Sequence, residues 1–195
     1  IDVGCDHGYL GIYLKSKNIC EEVLLTDVSN NALNVAINNI KKYNLNIKTF
    51  LTNGLENIDL NDYNTISISG MGTHSIINIL NVLKNNKSIK KLILQSNNNL
   101  DILRKEISNL GYYLDDEITV FENNKYYIIC KFLKGNKKIS ESEISFGLLK
   151  SDKISYYNYL LDNYNNYIKN IVNKKDQEKI QNKIDILTKL LKECR

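Results

Sequence analysis

The chain contains no proline, and among its 195 residues only four are cysteine. With Asn, Lys, Ile and Tyr abundant, the missing proline reads as the base-composition bias of an AT-rich genome and carries no functional signal. Cys5, Cys20, Cys130 and Cys194 lie far apart with no C-x-x-C pair. That spacing excludes the usual zinc sites and a disulfide scaffold, so no metal is expected and a reducing cytoplasm suits the chain. No apolar run is long enough to span a bilayer and no secretory signal pattern is present, so no membrane partner is expected. The sequence opens on Ile rather than Met, and the natural N-terminus is expected to lie upstream.

What remains is ordinary for a soluble fold: 43% hydrophobic and 25% charged residues, enough for one domain with a real core plus an appendage. The charge is unevenly placed. Residues 1–135 carry 14 Lys+Arg against 14 Asp+Glu, while residues 136–195 carry 12 against 8, so the whole excess of +4 lies in the second segment. A basic excess there suits an anionic partner such as RNA, and equally a solvated Lys-rich helical face.

Up to residue 135, short β-like runs alternate with helical stretches. Strands are predicted at 1–3, 23–26, 47–51, 65–69 and 92–94. Helices are predicted at 9–17, at 30–42 behind the cap Ser29, after Gly72 with Ile76, Ile77, Leu80 and Leu83 inward, and up to residue 110. Such alternation predicts a parallel sheet covered on both faces. Residues 113–121 and 126–133, parted by Glu122-Asn123-Asn124-Lys125, then read as a β-hairpin. An α/β sheet closed by an antiparallel hairpin is the expectation for a class I (Rossmann-like) methyltransferase sheet. Beyond Gly135, Phe146, Leu149, Ile154, Tyr157, Leu160, Leu161, Tyr164, Ile168 and Ile171 recur at helical spacing. After Asn173-Lys174-Lys175, Ile180, Ile184, Leu187 and Leu191 do the same. Two long helices folding back as a coiled-coil hairpin are predicted, with a domain boundary between 1–135 and 136–195.

The chemistry is concentrated in Asp2-Val3-Gly4-Cys5-Asp6-His7-Gly8-Tyr9-Leu10, at a strand-to-helix turn. Gly4 and Gly8 permit a tight turn and close approach of a ligand. Asp27, 19 residues after Gly8, closes the next strand where a carboxylate can accept both hydroxyls of an adenosine ribose. A dinucleotide site would want glycine at position 6, because Asp6 would repel a diphosphate. S-adenosylmethionine carries a sulfonium and an ammonium instead, which an acidic loop suits. Read structurally, Asp2 and Asp27 are strand-end residues and Asp6 a turn residue. Ile68-Ser69-Gly70-Met71-Gly72-Thr73 ends the fourth strand, where such a fold faces the transferred methyl. The Asn/Asp-Pro-Pro-aromatic motif of amino-methylating DNA enzymes is absent. Cys5 reads as a small buried residue rather than a nucleophile, and His74 as structural. Tyr126 and Tyr127 read as core aromatics before stacking residues.

These motifs, with Leu92-Ile93-Leu94-Gln95-Ser96-Asn97, resemble the bacterial TrmK family, tRNA (adenine-22-N1)-methyltransferases, in order and spacing across essentially the whole chain. The resemblance implies S-adenosylmethionine as cofactor and N1 of a D-loop adenine in tRNA as the methyl acceptor. Expected cofactor contacts are Asp2, Gly4, Cys5, Gly8, Tyr9, Leu10, Asp27, Val28, Asn53, Gly54, Ser69, Gly70 and Met71. Gly72, Gln95 and Asn97 are expected at the substrate base. Asp6 is the expected catalytic carboxylate, stabilising charge that builds on the ring, with His7 orienting it or touching the base. The basic helical segment would grip phosphates, and a monomer or weak homodimer is expected. Three departures stand out. Asn53-Gly54 replaces Asp-Gly, Ser96 replaces the proline of Gln-Pro-Asn and is expected to loosen that loop, and the helix preceding the first strand is missing. The competing readings are a methyltransferase acting on another RNA, a protein or a small molecule, and a non-catalytic cofactor- or RNA-binding module.

Overall fold

The computed structural model describes residues 1–193, so Cys194 lies outside the described residues. Five strands run parallel: β1 (Asp2–Val3), β2 (Leu24–Asp27), β3 (Lys48–Leu51), β4 (Thr65–Met71) and β5 (Lys91–Ser96). They are followed by the antiparallel hairpin of β6 (Tyr112–Glu122) and β7 (Lys125–Lys134). The described residues form one seven-stranded sheet in the order β3-β2-β1-β4-β5-β7-β6, with β7 antiparallel to β5. The expected α/β sheet closed by a hairpin is therefore observed. β1 lies between β2 and β4, where the winding reverses, and the crevice outside the carboxyl ends of these strands is where such sheets bind ligands.

The strands form where apolar and small polar residues alternate under helices. In β4, Ile66 and Ile68 are fully buried while Ser67 and Ser69 point the other way. The hairpin turns on Asn123 and Asn124, both with positive φ as a two-residue turn requires and as asparagine tolerates. Helices α1 (Tyr9–Ser16), α2 (Asn30–Lys42), α3 (Thr73–Leu80) and α4 (Leu100–Asn109) connect the parallel strands and lead into β6. The Ser29 hydroxyl caps α2 by accepting from the Ala32 amide at 3.3 Å, and Leu33, Ala36 and Ile40 bury one face. In α3, Ile76 and Leu80 are buried with Leu83 of the following 3₁₀ turn, but Ile77 lies off that face and is only half-buried. Ile79 packs against the core in its place.

The C-terminal segment departs from two long helices. It is divided into a short α5 (Glu141–Phe146), a 3₁₀ turn over Ser151–Lys153, α6 (Ile154–Ile168) and α7 (Lys174–Glu193). The first predicted helix breaks at Gly147, whose φ of +77° no ordinary helix contains. Leu149, expected inward, is exposed in consequence. α6 and α7 pack together as a hairpin across residues 169–173. Phe146, Tyr157, Leu187 and Leu191 are buried in the same apolar cluster as Ile68 of β4, Leu94 of β5 and Phe132 of β7. No helix of the described residues is long and apolar enough to cross a membrane.

A latch of buried charge fastens this segment to the sheet. Glu117 of β6 accepts from Arg104 Nε of α4 at 2.7 Å, from Lys153 Nζ at 2.9 Å, from the Leu148 amide at 3.0 Å and from Cys130 Sγ at 3.1 Å. Burial alone would raise the Glu117 carboxyl, but Arg104 and Lys153 reverse the effect and hold it below its ordinary range.

Candidate active site

The loop between β1 and α1 is held by backbone and side-chain bonds that leave Asp6 facing outward. The amides of Gly4 and Cys5 both donate to the Thr26 carbonyl, at 2.8 and 3.0 Å. Asp27 Oδ2 accepts from the Asp6 amide at 3.0 Å and Oδ1 from the Ser29 amide at 2.8 Å. Asp27 thus ties the loop to α2, and each oxygen keeps a lone pair for a ribose hydroxyl. The buried Asn39 of α2 donates to the His7 carbonyl at 3.0 Å. Nothing in the spacing of the sequence marks Asn39 as a loop anchor, because its partner is a backbone oxygen 32 residues away. Gly8 has φ +74°, and a Cβ there would stand 2.9 Å from Leu25 and 3.0 Å from Ala36. It is glycine for conformation and for close approach together.

Position 6, where a phosphate binder would use glycine, adopts glycine-like geometry all the same. Asp6 has φ +47°, and every other non-glycine residue of positive φ among the described residues is asparagine. Held by Asp27 through its amide, Asp6 carries strain of about 1–3 kcal/mol of the kind found at functional sites. Its side chain is 71% exposed and Oδ2 lies 2.7 Å from His7 Nδ1. The His7 ring in turn stacks on Tyr9, with centroids 5.8 Å apart. Tyr9, Leu10 and Val28 are exposed around this loop.

Asp2 differs from Asp6 in burial. It is 9% exposed and its carboxylate meets no hydrogen-bond donor, lysine or arginine among the described residues. Burial pushes its pKa up to about 6. The neighbouring Ile1 ammonium offsets that burial only in part, and a buried carboxylate with no hydrogen bond fits a ligand that brings its own cation, as an ammonium or sulfonium group does. Cys5 is buried, and burial together with Asp2 and Asp27 pushes its thiol up to about 12. It stays protonated and supplies no nucleophile.

The opposite wall is the β4–β5 edge. Both strands run two residues past their expected ends, because Met71 pairs with Ser96 beyond a register shift. Gln95 and Asn97 close a ring around Gly70. Gln95 Oε1 accepts from the Gly70 amide at 2.7 Å, Asn97 Nδ2 donates to the Gly70 carbonyl at 2.7 Å, and the two side chains bond each other at 3.2 Å. They clamp the wall of the site and spend most of their polar groups on it. Ser96, expected to loosen the turn, is buried and tied down instead. Its hydroxyl lies 2.8 Å from Thr73 Oγ1 and 2.9 Å from the Asn98 carbonyl, so hydrogen bonds do there what a proline ring would do by stiffness.

Met71 lies against Gly4, which brings the first and fourth strand ends together. Ser69 and Gly70 are exposed and Gly72 half-buried beside them. The β3 end joins the site because the Thr52 amide donates to the Asp27 carbonyl at 2.9 Å. Asn53 follows, its Nδ2 donating to Glu56 Oε1 at 2.9 Å, which leaves Oδ1 as an acceptor for a ligand. Gly54 is buried under Ile79. His74 is exposed in the first turn of α3 and has no core role. Among the described residues no three His, Cys, Asp or Glu side chains group as metal ligands would.

With this geometry in place, comparison with known proteins is informative. Residues 1–130 match the methyltransferase-domain family. A candidate tRNA methyltransferase of Mycoplasma genitalium is 32% identical over 152 residues, covering 75% of this chain and 67% of that protein. The solved structure of TrmK from M. capricolum, in complex with S-adenosylhomocysteine, is 30% identical with a TM-score of 0.85, covering 100% of this chain and 91% of the other. That of a candidate tRNA (m1A22) methyltransferase from Streptococcus pneumoniae is 27% identical with a TM-score of 0.88, covering 97% and 90%.

Proposed function

The chain belongs to the methyltransferase-domain family and, within it, to the TrmK proteins; on that premise we propose that it methylates N1 of an adenine in the tRNA D-loop, at position 22, using S-adenosylmethionine. The observation that carries the reading is the set of acids at the β1 and β2 ends. Asp2, Asp6 and Asp27 surround the glycine loop, and no lysine or arginine pairs with them among the described residues. A phosphate-bearing cofactor would be repelled there, and a cationic one is favoured.

When bound, S-adenosylmethionine supplies an electrophilic methyl on a sulfonium, so a ring nitrogen with a lone pair needs no covalent nucleophile from the protein. The chain's residues bind and orient. Asp2 would hold the ammonium, Asp27 the ribose hydroxyls, and Asn53 Oδ1 the adenine amino group. Gly70 and Met71 form the wall past which the methyl must travel, kept in place by Gln95 and Asn97. N1 lies on the Watson–Crick edge, so the target base must leave its stack to reach this wall. A methylated ring nitrogen carries positive charge, which the exposed Asp6 carboxylate would stabilise, with His7 fixing its rotamer through the 2.7 Å contact. Residues 1–135 then carry the chemistry, and residues 136–195 meet tRNA phosphates, the protein acting as a monomer or weak homodimer in the cytoplasm.

The test is transfer of tritiated methyl from labelled cofactor to unmodified bulk tRNA, followed by nucleoside analysis. The expected product is 1-methyladenosine at one D-loop position. No label in tRNA, or label in another nucleoside, overturns the reading.

A further inference from the structure

A cleft of about 420 Å³ opens beyond the Gly70 clamp, between the β5–α4 turn, the start of β7 and the α6–α7 hairpin. Its volume is within the roughly 300–1,000 Å³ of small-ligand sites. Asn97 belongs to both places: it lines the cleft and holds the Gly70 carbonyl. The cleft therefore begins where the methyl-transfer wall ends.

The wall contributed by β7 and α6 is aromatic. Tyr126 lies 5.4 Å from Tyr156 and 5.0 Å from Tyr159 between ring centroids, and Tyr164 extends the row. Tyr156 is only 9% exposed, yet its hydroxyl, like those of Tyr126, Tyr159 and Tyr164, bonds to no described residue. The Tyr156 hydroxyl is no buried orphan but reaches solvent in the cleft, whereas its neighbour Tyr157 donates to the Leu148 carbonyl at 2.8 Å. Burial pushes Tyr156 up to about 12, so its hydroxyl remains a donor at neutral pH. The rings pack on one another, but the cleft beside them stays open, Tyr159 is 45% exposed, and two lysines line the same space. Lys183 is held loosely, 4.0 Å from Asp101 and 5.7 Å from the Tyr164 ring centroid, and Lys125 sits at the β-hairpin turn.

Stacking faces, free hydroxyls and lysines in one cleft match a nucleotide: a base to stack, polar edges to bond, a phosphate to neutralise. We propose that this cleft takes one unpaired nucleotide of the RNA substrate adjacent to the target adenine, its base stacked on Tyr159 and its phosphate beside Lys125 and Lys183. This subsite rests on the functional reading above and deepens it. It anchors the strand next to the flipped base, so that the target adenine arrives at Gly70 already oriented.

The experiment measures KM and kcat for an unmodified tRNA transcript with wild type, Tyr159→Ala and Tyr159→Phe, alongside cofactor affinity by calorimetry and Tm. Tyr159→Ala is expected to raise KM for tRNA roughly 5- to 150-fold, the range of one lost base–aromatic stack. Cofactor affinity and Tm should stay at wild-type values, and Tyr159→Phe, which keeps the ring, should stay within about twofold. An unchanged KM in Tyr159→Ala, an equal loss in both variants, or a rise that merely follows a fall in Tm overturns the subsite while wild-type turnover leaves the function standing. A wild-type protein that methylates no tRNA overturns the function, and the subsite with it.

Discussion

Replacing Glu117 by glutamine keeps the shape of the latch and removes its charge. Glu117 is 1% exposed, Arg104 1% and Lys153 0%, so water cannot replace what the carboxylate provides. The variant leaves two buried cations without their shared anion and turns an NH₂ group toward donors that need an acceptor. Breaking a buried ion cluster from one side costs about 3–5 kcal/mol. Burial already lowers the pKa of Lys153, so that side chain can shed its proton and spare part of the cost. For a domain of this size, where 1 kcal/mol moves Tm by roughly 2–4 °C, the expected fall is roughly 6–20 °C. Calorimetric melting at pH 7 and urea titration read it directly. The damage should also be local, because Arg104 Nη1 and Lys153 hold the carbonyls of Ile144, Phe146 and Leu148, where the helical segment begins. The cleft tyrosines of α6 would shift and KM for tRNA would rise. A loss below about 1 kcal/mol would refute the argument, since it would mean that the charges are not truly desolvated.

Asp2 predicts an opposition between stability and function. Its pKa rises from 3.8 to about 6 on folding, so the folded protein holds the extra proton and stability falls as pH rises through that window. Asp2→Asn should therefore stabilise the free protein at pH 7 by up to about 3 kcal/mol in melting experiments, while weakening the cofactor. For the wild type, cofactor affinity measured by calorimetry should decline as pH drops through about 6, where Asp2 loses its charge. Asp6→Asn tolerates the positive φ and should lower kcat by about 10²–10³-fold with an unchanged Tm, whereas Asp6→Ala adds strain of about 1 kcal/mol; undiminished kcat in the asparagine variant would remove Asp6 from the chemistry. If residues 136–195 contact phosphates, tRNA affinity must fall steeply between about 50 and 200 mM salt in filter binding, and a flat response would remove that role.

The sheet was legible because strand and helix periods are local properties, readable from Ile66 and Ile68 or from Leu33, Ala36 and Ile40 alone. The glycine loop was legible for the same reason, since Gly8, Asp6 and Asp27 declare themselves by type and spacing. The break at Gly147 was hidden. Phe146 and Leu149 keep helical spacing across it, but a Cβ at 147 would run into the Glu117 carboxylate, and that carboxylate comes from a strand 30 residues earlier. The bonds of Gln95 and Asn97 to Gly70 were hidden by a similar distance, because only the β4–β5 register places Gly70 beside them.

Register also explains how the two walls of the site divide their work. On the β1–β2 side the loop is bent around Asp27, and the acids left over, Asp2 and Asp6, differ above all in how much water reaches them. The buried one can hold a permanent cation, because an unpaired charge there is costly until the ligand neutralises it. The exposed one can serve a transient cation, because water supports its charge before the base arrives and the base displaces that water as it docks. On the β4–β5 side, Gln95 and Asn97 direct polar groups to Gly70 and hold that wall. A wall that had to grip the target base would compete with the in-line path of the methyl. The grip is better placed one nucleotide away, which is where the tyrosine cleft lies, with Asn97 as the residue shared between holding the wall and bordering the anchor.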